Sequence, residues 1–487
     1  MSGGREWGER GLGEALARVS RRGPRAASTT LPPPRASDWT GKFTGRSPVA
    51  LRPRTEAQAA AALARCAARR LAVVPQGGNT GLVGGGVPLH DEVVLSTARM
   101  VGVTRVDAAA GVVSARAGTT LAALEAAAAA AGLTIPLDLG ARGTCAIGGN
   151  VATNAGGARV VRYGTLRSTV LGLDALLADG TRLDLTRPLR KDNTGYDLKQ
   201  LLIGSEGTLA LITGVTLAAP RATVAPALAY LACPTWAAVQ DVMGLARARL
   251  GEALAAAEFV DAASVALATA HLSHVSNPFP SSAAPYFVLL EAAGVDGDHD
   301  AAKMERLVGE AFATGAAVDG VASAAGARPA ALWALREGVP VALRHAGACY
   351  KYDVSLAVAE FEGLVNECQK RATAARGDAV AVGYGHLGDG NLHLNVSHPG
   401  PMDARVLAAL EPWVYEAVAA ARGSVSAEHG IGLAKASLLP LSKPRPAIDL
   451  MAAIKAAFDP EWVLNPYKVL PADAARAGAA GGRAGAG

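Results

Sequence analysis

The five cysteines, Cys66, Cys145, Cys233, Cys349 and Cys368, contain no C-x-x-C pair and are odd in number. Their spacing argues against a disulfide framework and against a thiolate zinc site, and fits a reducing compartment. A long apolar run is also missing. The run near Ala126–Ala131 is alanine-rich and preceded by Glu125, between a helix start at Thr120 and a stop at Gly132, so no membrane span is expected. A net excess of charge is nearly absent from the body of the chain. Of the net +5, residues 1–36 contribute +4 through seven arginines and three glutamates, leaving +1 for the rest. The pI of 9.0 therefore says little about partners, and no nucleic-acid ligand is expected. The first 35 residues lack lysine and carry arginines and hydroxyl residues, which resembles an organelle-targeting peptide, with Glu6, Glu9 and Glu14 against it.

A chain of 487 residues predicts more than one domain. Leu31–Arg35 (LPPPR) reads as a linker. Thr55 with Gln58 forms a capping-box pattern for a helix through Arg70. Strands are expected over Leu71–Val74 and Glu92–Ser96, a hairpin over Val101–Ala117 and a helix over Leu121–Ala131. The stretch Leu139–Gly157 reads as irregular, and Gly164–Gly214 as short strands separated by turns such as Asp179-Gly180. Beyond Thr223, two or three strands (Ala227–Ala232, Tyr286–Glu291, Tyr350–Val358) alternate with helices over Thr235–Leu250, Ala301–Thr314 and Ala359–Ala375. Helices over Arg405–Ala421 and Ala447–Phe458 follow. This mixture lacks the regular βαβ alternation of a doubly wound sheet. The division expected is a leader, 1–36, a first domain, 43–222, a second, 223–470, and an Ala/Gly-rich disordered tail, 471–487.

Two glycine-rich stretches and a third short element stand out: Pro75–Gly86 (PQGGNTGLVGGG), Asp138–Gly157 (DLGARGTCAIGGNVATNAGG) and Gly204–Thr208 (GSEGT). Glycines let backbone N–H groups approach a diphosphate closely. The first stretch is no P-loop, since no Gly-Lys-Ser/Thr follows, and it has no clean G-x-G-x-x-G entering a helix. One such loop alone is an ordinary tight turn. Three of them suit an extended cofactor with a diphosphate and a flat ring.

A second constellation is Gly385–Asn395 (GHLGDGNLHLN) with Ser426–Gly432 (SAEHGIG). In a strand, His393 and Asn395 share a face, and His386 can meet His393 across the hairpin. Two histidines and Glu428 make a competent site for Zn²⁺ or another divalent metal. Singly, each histidine would be an ordinary polar turn residue. Leu335-Arg336-Glu337 and Tyr350–Asp353 (YKYD) add an arginine and a lysine able to bind a carboxylate, although either alone is more often a solvated surface residue.

PQGGNTGLVGG, GGNVATNAGG and IGSEGTL, in this order, resemble the flavin domain of the vanillyl-alcohol oxidase or PCMH type, also known by its murein-reductase member. From about Asp38 to Leu470 the chain is similar to the D-2-hydroxyglutarate dehydrogenase family, on SDWTGKF, ATNAGG, RKDNTGYDLKQL, WALRE, YKYDVSL, GYGHLGDGNLHLNV, SVSAEHGIG and LNPYK. The resemblance implies an α+β fold. A PCMH-type FAD-binding domain of two α/β subdomains would be joined to an α+β substrate domain with an antiparallel sheet and a C-terminal helical part. It implies FAD held without a covalent bond, since the first loop has no histidine, by Pro75, Gln76, Gly77, Gly78, Asn79, Thr80, Gly81, Leu82, Gly140, Gly143, Thr144, Gly148, Gly149, Asn150, Thr153, Asn154, Gly156, Gly157, Glu206, Gly207 and Asn465. It further implies zinc on His386, His393 and Glu428, substrate on Arg336, Lys351 and Asn395, and His429 as both substrate contact and catalytic base. The activity implied is oxidation of D-2-hydroxyglutarate to 2-oxoglutarate in the mitochondrial matrix, with an electron-transfer flavoprotein as acceptor; a homodimer is compatible with it. Pro340 stands where the family can carry a substrate-facing threonine, and Ala210 where relatives often carry glycine. Three other readings are a D-lactate or glycolate dehydrogenase of the same family, a non-catalytic flavin- or metal-binding protein, and a nucleic-acid-binding module.

Overall fold

The computed structural model describes residues 36–475, except 48, 225 and 324–327. The leader expected over 1–36 and most of the tail expected over 471–487 lie outside the described residues.

Among the described residues, fifteen strands form three sheets. β1 (Ala50–Leu51), β2 (Val73–Gln76) and β3 (Val93–Ser96) make a small parallel sheet in the order β1-β3-β2. β4 (Val103–Asp107), β5 (Val112–Arg116), β6 (Val170–Leu176), β7 (Arg182–Leu185) and β8 (Leu211–Ala218) make an antiparallel sheet in the order β4-β5-β8-β6-β7. The third sheet is antiparallel throughout, in the order β12-β9-β11-β10-β14-β15-β13. Its strands are β9 (Ala227–Cys233), β10 (Leu254–Asp261), β11 (Tyr286–Ala292), β12 (Asp319–Ser323), β13 (Ala348–Ser355), β14 (Val380–His386) and β15 (Asn391–His398). The fold is α+β, as expected, and no doubly wound sheet is present among the described residues.

Local chemistry explains most element boundaries. Thr55 caps the helix Glu56–Ala68 by accepting from Gln58 N–H, and the Gln58 side chain reaches back to Arg54 N–H. Thr120 caps Leu121–Ala129, and Gly132 takes a positive φ beyond it. Four expectations are corrected. The stretch Leu139–Gly157 contains a short helix, Ile147–Thr153, ended by Asn154 in the left-handed region. The single helix expected over Arg405–Ala421 is two, Ala404–Leu410 and Trp413–Ala420, because Pro412 has no N–H with which to continue the first. The second domain has seven strands rather than two or three. The alanine-rich β10 (LAAAEFVD) is a strand that the sequence does not mark, having no clear alternation and a single β-branched residue, Val260.

Alternation puts one face of the seven-stranded sheet against the helices Trp236–Leu250, Gly297–Ala313 and Phe361–Ala375, through Phe259, Val288, Leu290, Tyr352, Val354, Leu392 and Leu394. The other face packs Leu228, Tyr230, Val260, Leu289, Val382 and Tyr384 against Ala262–His271 and Arg328–Ala346. Polar side chains interrupt this second face, and the candidate site lies there.

Strands β1–β8 precede residue 223 and β9–β15 follow it, but the chain then returns. Leu464 bridges Val73 beside β2, with Val73 N–H on Val463 O at 2.7 Å and Asn465 N–H on Val73 O at 2.9 Å. Ile454 and Phe458 of the last helix, Arg445–Phe458, pack on the first domain's core. Lys455, 2% exposed, donates to Thr208 O and Leu464 O and pairs with Asp459, which is 0% exposed and accepts from Val463 and Leu464 N–H. Asp459→Ala would leave a buried ammonium uncompensated, a loss of about 3–5 kcal/mol. Chemical denaturation should show a lower midpoint for this variant, and an unchanged midpoint would refute the role of the pair.

Candidate active site

Three glycine-rich elements distant in sequence meet as one surface. At Gly78 a Cβ would lie 2.2 Å from Thr144 O, so the first stretch rests directly on the second. The third joins them through Glu206 N–H on Ala152 O and Gly204 N–H on Val151 O. Pro75, Gly77, Thr80, Gly81 and Leu82 line the first stretch with Gln76 and Asn79. Gly140, Gly143 and Thr144 are exposed at the start of the second, and Gly148, Gly156 and Gly157 lie further along it. Many side chains here hold the loops themselves. Gln76 donates to Gly86 O, Asn79 to Ser37 O, and Thr153 to Gly149 O, while Asn154 accepts from Arg167 N–H. Asn150 Oδ1 is buried with no partner, a polar atom that a flavin could satisfy. Gly149 faces open space. The surface fits a dinucleotide with its backbone as the main donor.

Glu206 and Asn465 lie where the third element meets the rest of the chain. Glu206 accepts from Ile431 N–H at 2.7 Å and Gly432 N–H at 2.8 Å, and burial raises its pKa. Asn465 Nδ2 donates to Glu206 O, and Lys468 to Gly85 O and Asn465 Oδ1; Gly207 packs on Pro75 and Asn465. These contacts fasten the loop Ser426–Gly432 to the flavin-side domain. Gly430 and Gly432 have positive φ, and a Cβ at Gly430 would lie 2.8 Å from Glu206 Cδ, so the grip requires glycine there.

The histidine hairpin forms as the alternation predicts. His386 is paired with Asn391 and Tyr384 with His393, so His386, His393 and Asn395 share a face. His386 Nε2 lies 3.4 Å from His393 Nε2, and His393 Nε2 lies 3.8 Å from Glu428 Oε1. One ligand atom from each of His386, His393 and Glu428 lies within 4.8 Å of the others. Ligands ~2 Å from a tetrahedral zinc sit roughly 3.3 Å apart, so this donor set fits a divalent metal with small adjustments. The opposite ring nitrogens face carboxylates: His386 Nδ1 is 2.6 Å from Glu258 Oε1, and His393 Nδ1 is 3.7 Å from Asp353 Oδ1. That arrangement fixes ring orientation in metal sites. Burial opposes a charged His386, but Glu258 pushes its pKa up to about 9. Burial, with His386 beside it, holds His393 well below its ordinary value. A divalent cation between the two rings would take the place of that proton.

Asp353 organises the other half. Its Oδ2 accepts from Glu428 N–H at 3.1 Å and His429 N–H at 3.0 Å and lies 3.3 Å from His429 Nδ1, while its Oδ1 accepts from Asn391 Nδ2 at 2.9 Å. Burial would raise its pKa, yet His429, Lys435 and His393 hold it below the usual carboxylate range. Asp353, Glu428 and His429 are also close enough to share a cation, but these donors already occupy the Asp353 oxygens.

Arg336 is buried on the helix Arg328–Ala346, with Nε and Nη2 each 2.9 Å from Glu258 Oε2 and its guanidinium 4.7 Å from the Tyr384 ring. Lys351 is exposed, opposite the buried Asn395 across β13 and β15. Pro340 lies one turn beyond Arg336 and is half-buried. Sequence reasoning missed Glu258 and Asp353, as well as Glu291, which holds Arg159 and accepts from Trp333 Nε1. An acidic residue inside an apolar run, as in LAAAEFVD and YFVLLEA, was the available signal.

Two family models match: "FAD linked oxidases, C-terminal domain" over residues 224–469 and "FAD binding domain" over residues 48–186. The chain is 49% identical over 444 residues to the mitochondrial D-2-hydroxyglutarate dehydrogenase of Bos taurus, covering 91% of this chain and 80% of the relative. It is 46% identical over 435 residues to a probable D-2-hydroxyglutarate dehydrogenase, mitochondrial, of Oryza sativa subsp. japonica, covering 89% and 77%. Among solved structures, p-cresol methylhydroxylase with substrate bound superposes with a TM-score of 0.72 at 12% identity, over 88% of this chain and 90% of that one, a likeness of fold.

Gly149→Val places a side chain in open space and should lower the flavin-to-protein absorbance ratio while leaving the apoprotein's melting midpoint unchanged. Gly78→Ala drives a Cβ into backbone and should lower both. Full flavin content in Gly149→Val would place the cofactor elsewhere.

Proposed function

The chain belongs to the FAD-linked oxidases and is an FAD-dependent oxidoreductase acting on 2-hydroxy acids, and on that premise we propose that it oxidises D-2-hydroxyglutarate to 2-oxoglutarate with a divalent metal bound by His386, His393 and Glu428. The observation that carries the reading is Arg336. This buried guanidinium is clamped to the carboxylate that also holds His386, so a fixed positive charge stands beside the metal-binding trio. A monocarboxylate has no second acid group for it; a dicarboxylate does.

Bound FAD supplies the hydride acceptor, and the metal supplies positive charge that acidifies the substrate hydroxyl. The chain's own residues do the rest. Arg336, with Lys351 and Asn395, binds and orients the acid groups. With His429 Nδ1 facing Asp353 at 3.3 Å, Nε2 is the atom that takes the hydroxyl proton. Asp353 also grips the backbone N–H groups of Glu428 and His429, so ligand and base are positioned by one carboxylate. The first loop has no histidine to attach a flavin covalently; the acceptor in this reading is an electron-transfer flavoprotein of the mitochondrial matrix, supported by the family resemblance, and the relatives' names support the mitochondrion.

D-lactate is the second reading, favoured by Pro340. This residue offers no hydrogen-bond donor one turn from Arg336.

Anaerobic addition of D-2-hydroxyglutarate, its L-enantiomer and D-lactate to the purified protein tests the assignment. Rapid flavin bleaching by D-2-hydroxyglutarate alone is expected; bleaching chiefly by D-lactate would move the substrate to the second reading. His429→Ala should lower kcat by ~10²–10⁴ with flavin and metal retained. Chelation should abolish turnover and zinc should restore it, whereas full activity in metal-free protein would refute the metal's role.

A further inference from the structure

Glu258 is 1% exposed, and each of its oxygens holds one functional cation. Oε1 lies 2.6 Å from His386 Nδ1, and Oε2 accepts from Arg336 Nε and Nη2 at 2.9 Å. Its place is set by the sheet. Glu258 is paired with His386 across β10 and β14, and the next inward pair on that face is Val260 with Tyr384, whose ring supports the guanidinium. The environment is apolar on both sides: Val260 and Tyr384 belong to the core on this face, and the neighbouring Ala257 and Phe259 to the core on the other. A carboxylate in such a position is destabilising unless fully paired.

We propose that Glu258 is the positioning residue that ties metal binding to recognition of the substrate's second carboxylate. The inference rests on the functional reading above. With Oε1 on Nδ1, the His386 ring presents Nε2 to His393 and Glu428. With Oε2 on Arg336, the guanidinium is fixed in one orientation and keeps its remaining N–H donors for an anion. Glutamine fills the same space but accepts through one atom only. Its amide can face His386 with oxygen and Arg336 with N–H groups, or the reverse, and either choice breaks one of the two connections.

The test is Glu258→Gln, made in the full chain, with two readouts besides turnover. Zinc affinity is measured by competition with a chromophoric chelator, and KM is compared for D-2-hydroxyglutarate and D-lactate. The variant should keep its flavin, bind zinc about 10–100-fold more weakly, and raise KM for the dicarboxylate more than for the monocarboxylate. Glu258→Asp keeps both oxygens on a shorter stem and should fall between Gln and wild type; it carries the same measurements if the Gln variant does not fold. Wild-type zinc affinity together with a wild-type ratio of the two KM values would overturn the proposal. Absence of zinc binding by the wild-type protein would instead sink the metal reading, and the KM ratio alone would then decide the role of Glu258.

Discussion

A carboxylate taken out of water must be compensated by cations or donors, and the buried acids Glu291, Glu258 and Asp353 impose that requirement on one face of the seven-stranded sheet. Arg159 and Trp333 satisfy the first, His386 and Arg336 the second, and Asn391, His429 and two backbone N–H groups the third. The groups assigned to metal binding, substrate binding and proton transfer are largely those that neutralise these acids. Orientation of the site and neutrality of the core are thus met by the same contacts, which is how a charged site persists on an otherwise apolar face.

The site is completed only where the two domains touch. Glu428 and His429 sit on a loop held from one side by Asp353 of the substrate-side sheet and from the other by Glu206 of the flavin-side domain. At Gly156 of the second glycine-rich stretch, a Cβ would lie 2.9 Å from Glu428 Oε2. The surface suited to the flavin and the candidate metal trio are therefore adjacent, as the proposed hydride transfer would require. The return of the chain through Lys455, Asp459 and Asn465 strengthens the same junction.

Legibility followed the range of the physics. The helix starts at Thr55 and Thr120, the hairpin after Val101 and the shared face of His393 and Asn395 are consequences of capping and alternation, which act over a few residues. The strand β10 was not legible, because its alanines have no strong preference and its place is set by pairing with β11 and β14. With β10 unseen, Glu258 had no assigned neighbour. Lys351 was singled out by its motif, and the structure places it exposed while Asn395 opposite is buried; motif and burial are separate properties.

By itself the sequence determined the residue types: glycines where backbone must approach a cofactor, two histidines at hairpin spacing, a Glu-His pair between glycines, and an arginine and a lysine able to bind a carboxylate. Local sterics and hydrogen-bonding capacity restrict those choices, so they can be read along the chain. The tertiary structure alone decided which carboxylate faces which cation or N–H donor. It brought His386 to Glu258, His429 to Asp353 and Ile431 to Glu206 across large sequence separations. Such pairings depend on strand register and domain docking, which are set by burial of the whole apolar surface and leave no short-range mark.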